Sequence, residues 1–510
     1  MNRRDLLSSA AAAMAAGAFG AAPVAAQDTA AAPRGFDFDA LAAIAKDRAS
    51  RPFESARMTM SGTFADLTYD QYRAIRFRRD RDPWQGQGDF AIDLLPPGLI
   101  FHEAVEINLV SGNVVTPLPF LPDMFEFDPA LFPDGIDTDD VRGLSWSGFR
   151  LRAPLNRPDV MDEFLVFQGA SYFRAVARNT LYGLSARGLA LGTGSAAGEE
   201  FPIFRAFWVH KPESRARSVR IHALLDSPSI AGGFEFIVSP GADTVVETRC
   251  ALFPRKDLDN VGIAPLTSMY WFGPEDRATV DDYRPRVHDS NGLQMLTGRE
   301  TRLWRSLNNP ATLQISAFMD EDPRGFGLAQ RPRAFAHYED SEARYEKRPS
   351  AWISPRGKWG KGTVTLVEIP ANNEFNDNIV AYWQPALTLK AGRRYDFAYG
   401  LTFAPLPPDL APVSRVVQTL SGLSVNDPKR RSFVIDFDAQ TLAERELTPV
   451  VTASKGTVEG VHIILLPDED RIRLAFSFIP QGARLAELTA RLDGPNGPLS
   501  ETWLSRWTEG

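Results

Sequence analysis

Short apolar runs cut by glycine or proline recur along almost the whole chain, and they restrict its fold more than any other feature. Val105-Glu106-Ile107-Asn108-Leu109-Val110 alternates and stops at Ser111-Gly112-Asn113. Phe90 to Leu95 ends at Pro96-Pro97-Gly98. Phe164 to Phe167, Leu181 to Leu191, Phe204 to Trp208, Val219 to Leu224 and Phe234 to Val238 continue the series. Alternation with a period of two places successive side chains on opposite faces of a pleated strand. Many such strands at turn-punctuated spacing predict a large antiparallel β-sandwich. The 38 glycines and 38 prolines among 510 residues supply turns and leave little room for long helices. Helical spacing is confined to the start. Phe36 to Ala49 puts Leu41, Ile44 and Ala45 on one face with Asp39 as cap, and Thr68-Tyr69-Asp70-Gln71 is a capping box for a short helix running towards Ile75.

Several function classes drop out. No G-x-G-x-x-G, Walker loop or β-α rhythm suggests a nucleotide fold. A net charge of −8 and basic runs broken by acids, such as Arg76-Phe77-Arg78-Arg79-Asp80-Arg81, give no support to nucleic-acid binding. The one cysteine, Cys250, lies in an alternating apolar run and reads as a small buried hydrophobe. The six histidines are scattered without zinc spacing, so the sequence calls for neither a metal nor a cofactor.

The N-terminus carries Asn2-Arg3-Arg4-Asp5-Leu6-Leu7, an Ala-rich apolar run and a small-residue pattern ending at Ala26. That order predicts a signal peptide over residues 1–26, and the paired arginines resemble a twin-arginine export signal. No later stretch has roughly 18 uninterrupted apolar residues. The expected destination is the periplasm. Proline density at Phe403-Ala404-Pro405-Leu406-Pro407-Pro408-Asp409-Leu410-Ala411-Pro412 predicts a stiff linker over 404–412. It separates a β-sandwich over 35–403 from roughly a hundred residues of short strands, 413–510, expected to form an immunoglobulin-like sandwich.

One stretch concentrates chemistry. Val367 to Trp383 encloses Asn372-Asn373-Glu374-Phe375-Asn376-Asp377-Asn378 between two strand-like runs and ends on Tyr382-Trp383. Amides and carboxylates beside aromatic rings suit a sugar, whose hydroxyls need paired polar groups and whose C–H faces need a flat apolar surface. A solvated hairpin loop is the bland alternative. Upstream lies a second concentration of aromatics, acids and arginines, including Trp271, Tyr283-Arg284-Pro285, His288-Asp289-Ser290, Tyr345, Arg348 and Trp352. Glycoside hydrolysis needs two carboxyl groups flanking the scissile bond, one to protonate the leaving oxygen and one to activate water. Asp377, expected to be semi-buried beside Ile379-Val380, and nearby Glu374 are candidates on one side. Asp289 is the best partner, although composition does not rank it above Asp282, Asp320, Asp322, Glu339 or Asp340. A serine hydrolase is disfavoured because no G-x-S-x-G elbow is present.

Ala264-Pro265-Leu266-Thr267-Ser268-Met269-Tyr270, Tyr283-Arg284-Pro285, His288 to Gly292, Leu307-Asn308-Asn309-Pro310, Arg348-Pro349-Ser350-Ala351-Trp352 and Val367 to Trp383 resemble the periplasmic glucan biosynthesis protein G/D family. The likeness spans nearly the whole mature chain, and the twin-arginine leader points to the D type. The resemblance implies a galactose-mutarotase-like N-terminal sandwich with a long glucan cleft, followed by the immunoglobulin-like unit. It implies an anomer-inverting endo-β-1,2-glucanase acting on osmoregulated periplasmic glucans, with Asp377 as general acid and Asp289 as base. Glu374, Tyr345, His288, Asn376 and Arg348 are the expected cleft residues, with Trp271, Trp352 and Trp383 as stacking platforms or core. A non-catalytic glucan escort linked to the membrane glucosyltransferase, or a transglycosylase, is the alternative. D-type relatives also suggest a homodimer.

Overall fold

A computed structural model describes residues 36–84, 88–137, 139–277, 280–439 and 446–509. The signal peptide expected over 1–26 lies outside them. Strands hold 47% of the chain and helix 8%, so the all-β expectation holds.

Most of the alternating runs become strands where the sequence placed them, although Leu181 to Leu191 yields only Ser185–Arg187 and Leu189–Leu191. Phe164 to Phe167 falls within Asp162–Gln168, Phe204 to Trp208 within Ile203–His210, and Phe234 to Val238 within Ile230–Ser239. Two large sheets result. A ten-stranded sheet carries Gly148–Ala153, Asp162–Gln168 and Tyr172–Ala175 in sequence, and later Val261–Ser268, Ile379–Pro385 and Lys361–Glu368. A fifteen-stranded sheet includes Ile203–His210, Val219–Asp226, Ile230–Ser239 and Thr244–Pro254. Inward side chains meet between them. Phe149, Phe167 and Phe173 of the smaller sheet pack on Phe204, Phe207 and Phe236 of the larger, with Phe167 centred 5.2 Å from Phe207 and 5.3 Å from Phe236. Cys250 is buried in this core, and burial pushes its thiol up to about 12, so it acts as a hydrophobe as expected.

The first helix, Phe38–Ala49, lies across the outer face of the fifteen-stranded sheet and buries Leu41, Ala42 and Ala45 against Ala206, Leu224, Ala251 and Phe253. Gly233 permits this approach, because a Cβ there would stand 2.9 Å from Leu41 Cγ. Two details of the sequence reading are corrected. The cap is Asp37, which accepts from the Ala40 N–H at 2.8 Å, and Ile44 faces solvent at 37% exposure. The second helix, Tyr69–Ala74, carries the expected capping box between Thr68 and Gln71.

Beyond the proline-rich segment, Val416–Leu423, Arg431–Asp438, Thr457–Leu466 and Arg471–Ile479 form a four-stranded sheet. It packs on Thr448–Ala453, Leu485–Gly494 and Thr502–Thr508 around a core of Phe433, Phe476, Leu488 and Trp503. Arg471–Ile479 shows the logic plainly: Ile472, Leu474, Phe476 and Phe478 are buried and their neighbours are not. The three strands facing the four-stranded sheet belong to the fifteen-stranded sheet. Arg302–Ser306 pairs in parallel with Thr502–Thr508, Trp304 opposite Trp503, and Trp304 packs into the C-terminal core. The buried Arg331 guanidinium lies 3.5 Å from the Trp304 ring centre and pairs with Glu501 at 2.7 Å. Carbonyls of the proline-rich segment are held too: Gln294 Nε2 donates to Pro408 at 3.0 Å, and Arg302 Nη2 to Ala411 at 3.0 Å.

Candidate functional site

The polar insert is a loop at the end of a hairpin. Lys361–Glu368 and Ile379–Pro385 are antiparallel neighbours, with Glu368 opposite Ile379, so residues 369–378 leave the sheet and return beside their start. Two asparagines fix this loop. The Asn378 side chain accepts from the Tyr270 N–H at 2.8 Å and donates to the Tyr270 and Ile369 carbonyls at 2.9 and 3.0 Å. The Asn309 side chain accepts from the Ala371 N–H at 2.9 Å and donates to the Ala371 and Trp271 carbonyls at 2.7 and 2.9 Å. Such pairs satisfy backbone groups that a loop would otherwise leave to water. Below them, buried Glu368 accepts from Arg305 and from the Asn308 N–H, each at 2.9 Å. The amide-rich composition is therefore partly structural: Asn378 fastens the loop.

Asp377 projects from this frame into an open groove of about 680 Å³ on the outer face of the ten-stranded sheet. Its neighbours there include Phe101, Arg150, Glu163, Tyr172, Arg174 and Tyr182. Its side chain keeps 27% of its surface, and Arg174 Nη2 stands 3.6 Å from Oδ2. Asp289 lies deeper, at 4% exposure, and forms an ion pair with Arg348. Burial raises the Asp289 pKa, Arg348 opposes the rise, and the nearby Asp377 charge adds to it. The two carboxyl groups thus share one electrostatic environment although they come from distant parts of the chain.

Tyr345 and Glu374 complete the constellation. The buried Tyr345 donates its hydroxyl to Glu374 Oε2 at 3.1 Å, and the Arg348 guanidinium lies 4.3 Å from the Tyr345 ring centre. Arg284 contacts three carboxylates: Asp282 at 2.9 Å, Asp340 at 2.8 Å and Glu374 at 2.7 Å. That finding separates the unranked acids. Asp282 and Asp340 serve as counter-ions for Arg284. Asp320 and Asp322 bind turn backbone, accepting from Gly298 N–H at 3.0 Å and Gly360 N–H at 2.7 Å respectively. A larger groove of about 870 Å³ borders Asp320, Glu321, Lys361 and Met319, away from the paired acids.

The structure brings together Asp377, Asp289, Glu374, Tyr345 and Arg348. It corrects three other expectations. His288 is buried, bonds Gln330 Oε1 through Nδ1 at 2.9 Å, and stacks on Tyr270. Burial pushes its pKa down to about 3, so it is a neutral support behind Asp289, not a sugar contact. Trp383 is fully buried between the sheets beside Trp359, because its strand alternation points it inward. Trp352 points to the opposite face of its sheet from the core residues Ala351 and Ile353. It is covered there over Gly325, where a Cβ would lie 2.2 Å from its ring. Neither ring is available to a sugar. Trp271 is half-buried, with the Arg284 guanidinium 6.0 Å from its ring centre, and remains a candidate platform. Asn376 is exposed on the loop.

Sequence reasoning missed Arg174 and Tyr172, which sit in an ordinary strand with no signal marking the outward face. It also gave no platform role to Phe375 and Tyr283, 86% and 80% exposed, which flank Glu374 and Arg284 in sequence. Solvent-facing aromatics next to an Arg–Glu pair are better platform candidates than either buried tryptophan.

Fold and groove together define a two-layer all-β protein with a carboxylate-bearing cleft on one sheet face. Residues 36–507 match the family described as periplasmic glucan biosynthesis protein, MdoG. The chain is 45% identical over 478 residues to a glucans biosynthesis protein G of Vibrio cholerae serotype O1, covering 93% of this chain and 87% of that protein. It is 44% identical, with the same coverage, to a glucans biosynthesis protein G of Shewanella sp.. The chain belongs to the periplasmic glucan biosynthesis protein family. Both relatives carry the G name, whereas the leader pointed to the D type. No helix among the described residues is long and apolar enough to cross a membrane.

Proposed function

We propose that this chain is exported to the periplasm and cleaves the β-1,2-linked backbone of osmoregulated periplasmic glucans with inversion at the anomeric carbon. One observation carries this reading. Asp377 stands accessible in the groove while Asp289, raised by burial and by Asp377 itself, waits behind it on an arginine. A carboxyl group open to the groove near a second one held on an arginine can serve acid–base cleavage of a glycosidic bond, and the family motif, not the raised value at Asp289, assigns the acid to Asp377.

In the reaction Asp377 gives its proton to the departing glycosidic oxygen. Asp289 takes a proton from the attacking water, directly or through a short hydroxyl relay. Arg348 keeps Asp289 oriented, Tyr345 and Glu374 position a sugar ring or the water, and Phe375, Tyr283 and Trp271 offer flat surfaces along the chain of glucose units.

The test is incubation of the purified protein with linear β-1,2-glucan, following reducing ends, product sizes and product anomer. Short oligosaccharides released as the inverted anomer support the proposal. The relatives' names speak of biosynthesis and favour one second reading, an escort that binds glucan for the membrane glucosyltransferase without cutting it. Unchanged glucan with measurable binding would establish that reading, and rearranged lengths without new reducing ends would establish a transglycosylase.

A further inference from the structure

Behind the loop lies a half-buried carboxyl pair that the proposed reaction does not use. Glu275 and Asp276 follow the strand Tyr270–Phe272, and burial raises both pKa values. Their partners differ. Asp276 Oδ1 accepts from the Gly273 N–H at 2.8 Å and the Tyr270 hydroxyl at 3.1 Å, and Oδ2 accepts from the Asn309 N–H at 3.2 Å. Three donors favour the ionised form of Asp276, which leaves Glu275 as the member of the pair that holds a proton.

The residues that Asp276 holds are those that fasten the loop. Asn309, gripped through its N–H, clamps Ala371 with its side chain. Tyr270, gripped through its hydroxyl, presents its backbone to the Asn378 side chain. Two independent paths therefore run from one carboxylate to the two ends of the segment carrying Glu374 and Asp377. On the other side, the Glu275 carbonyl accepts from Ser421 Oγ at 2.6 Å and Arg431 Nη2 at 3.1 Å, both from the C-terminal unit.

We infer that Asp276 is a positioning residue: as a carboxylate it seats the 369–378 loop through Asn309 and Tyr270, next to the Glu275 carbonyl that bonds the C-terminal unit. This rests on the reading of Asp377 as the acid only where activity is concerned; the seating itself does not. Protonating Asp276 turns an acceptor into a donor facing the Asn309 N–H, which loosens the clamp. Among the described residues, the charged or titratable groups facing the pair include Arg286, Tyr270, Glu368 and Arg431, with Lys429, Arg430 and Arg506 lining the same groove. Arg286 and Arg431 oppose protonation, while Glu368 favours it.

The experiment is amide hydrogen exchange on the full chain as a function of pH, read on peptides spanning 368–380 and corrected for intrinsic exchange. Native protein should keep protection at neutral pH and lose it roughly tenfold on acidification. Asp276→Asn, which places an amide donor against Asn309, should be loose at every pH and flat across the range. Asn309→Ala, which removes the clamp on Ala371 and the bond to the Trp271 carbonyl while leaving Asp276 in place, should reproduce the loosening should the first variant fail to fold. Native-like protection and pH response in either variant would overturn the inference. Loss of glucan cleavage with unchanged protection would count against it as well. Normal seating behaviour in a chain that never cleaves glucan would instead overturn the proposed reaction.

Discussion

Arg348 and Asp289 form an ion pair, Nη1 on Oδ1, in which the Asp289 side chain keeps 5% of its surface and the Arg348 side chain 21%. The pair joins the segment after Val287–His288 to the start of Ser350–Arg356. Burial works against ionisation of Asp289 and the arginine works for it, so Arg348 sets the pH at which Asp289 can act as a base.

Arg348→Met should therefore raise the pKa of Asp289 and move the acid limb of a pH–activity profile to higher pH. The ionised base is the active form, so rate is lost first at low pH. Breaking a buried pair costs about 3–5 kcal/mol, and a thermal melt measures that share. Arg348→Lys should recover part of both effects. An unmoved acid limb would show that Asp289 is not the titrating base.

Arg284 forms ion pairs with Asp282, Asp340 and Glu374 at once. Arg284→Ala should leave three carboxylates facing one another, lower stability by about 3 kcal/mol and release Glu374 from its position. Glucan titration followed by calorimetry should show weakened affinity. Raised salt should recover part of the stability, since it screens the exposed part of the repulsion.

The tryptophans should divide by burial. Trp383→Ala removes a ring packed between the sheets and should cost about 3–5 kcal/mol, with any loss of glucan affinity following from unfolding. Trp271→Ala and Phe375→Ala should melt close to the native temperature and lose about 0.5–1.5 kcal/mol of glucan binding per ring. Parallel melting and binding measurements on the three variants check the division.

Stability should depend on pH from both sides. Glu275 has its folded pKa raised by burial, so its contribution is complete below the ordinary carboxylate range and is lost as pH rises through the folded value. His288, buried and pushed down to about 3, and His210, half-buried and pushed down to about 4, are both neutral. Their contribution is present above the ordinary histidine value and is lost as pH falls towards the folded ones. Glu275→Gln should gain on the native protein as pH increases from 5 to 8, measured as the difference in melting temperature. A constant difference across that range would contradict the assignment.

Strand positions were legible because the two-residue period of runs such as Arg471 to Phe478 directly encodes which side chains face a core. Period alone does not say which of two faces meets another layer. Trp352 and Trp383 were therefore left open between platform and core; Trp383 faces the core between the sheets, and Trp352 is covered on the opposite face over Gly325. The acid-bearing loop was legible from the density of polar groups between two apolar runs. Its fastening was not, because Asn309 and Tyr270 lie 62 and 108 residues from the atoms they hold. Arg174 was invisible for a similar reason. It becomes special only when the Ile379–Pro385 hairpin brings Asp377 to the same sheet face. The parallel pairing of Arg302–Ser306 with Thr502–Thr508 likewise joins segments about 200 residues apart that no local pattern connects.

Release of reducing ends from linear β-1,2-glucan by the native protein and by Asp377→Asn tests the central claim most directly. Native protein should generate short oligosaccharides, and the variant should lose at least a thousandfold in rate while melting and binding glucan as the native does. A variant that cleaves at close to the native rate would contradict the assignment of Asp377 as the proton donor.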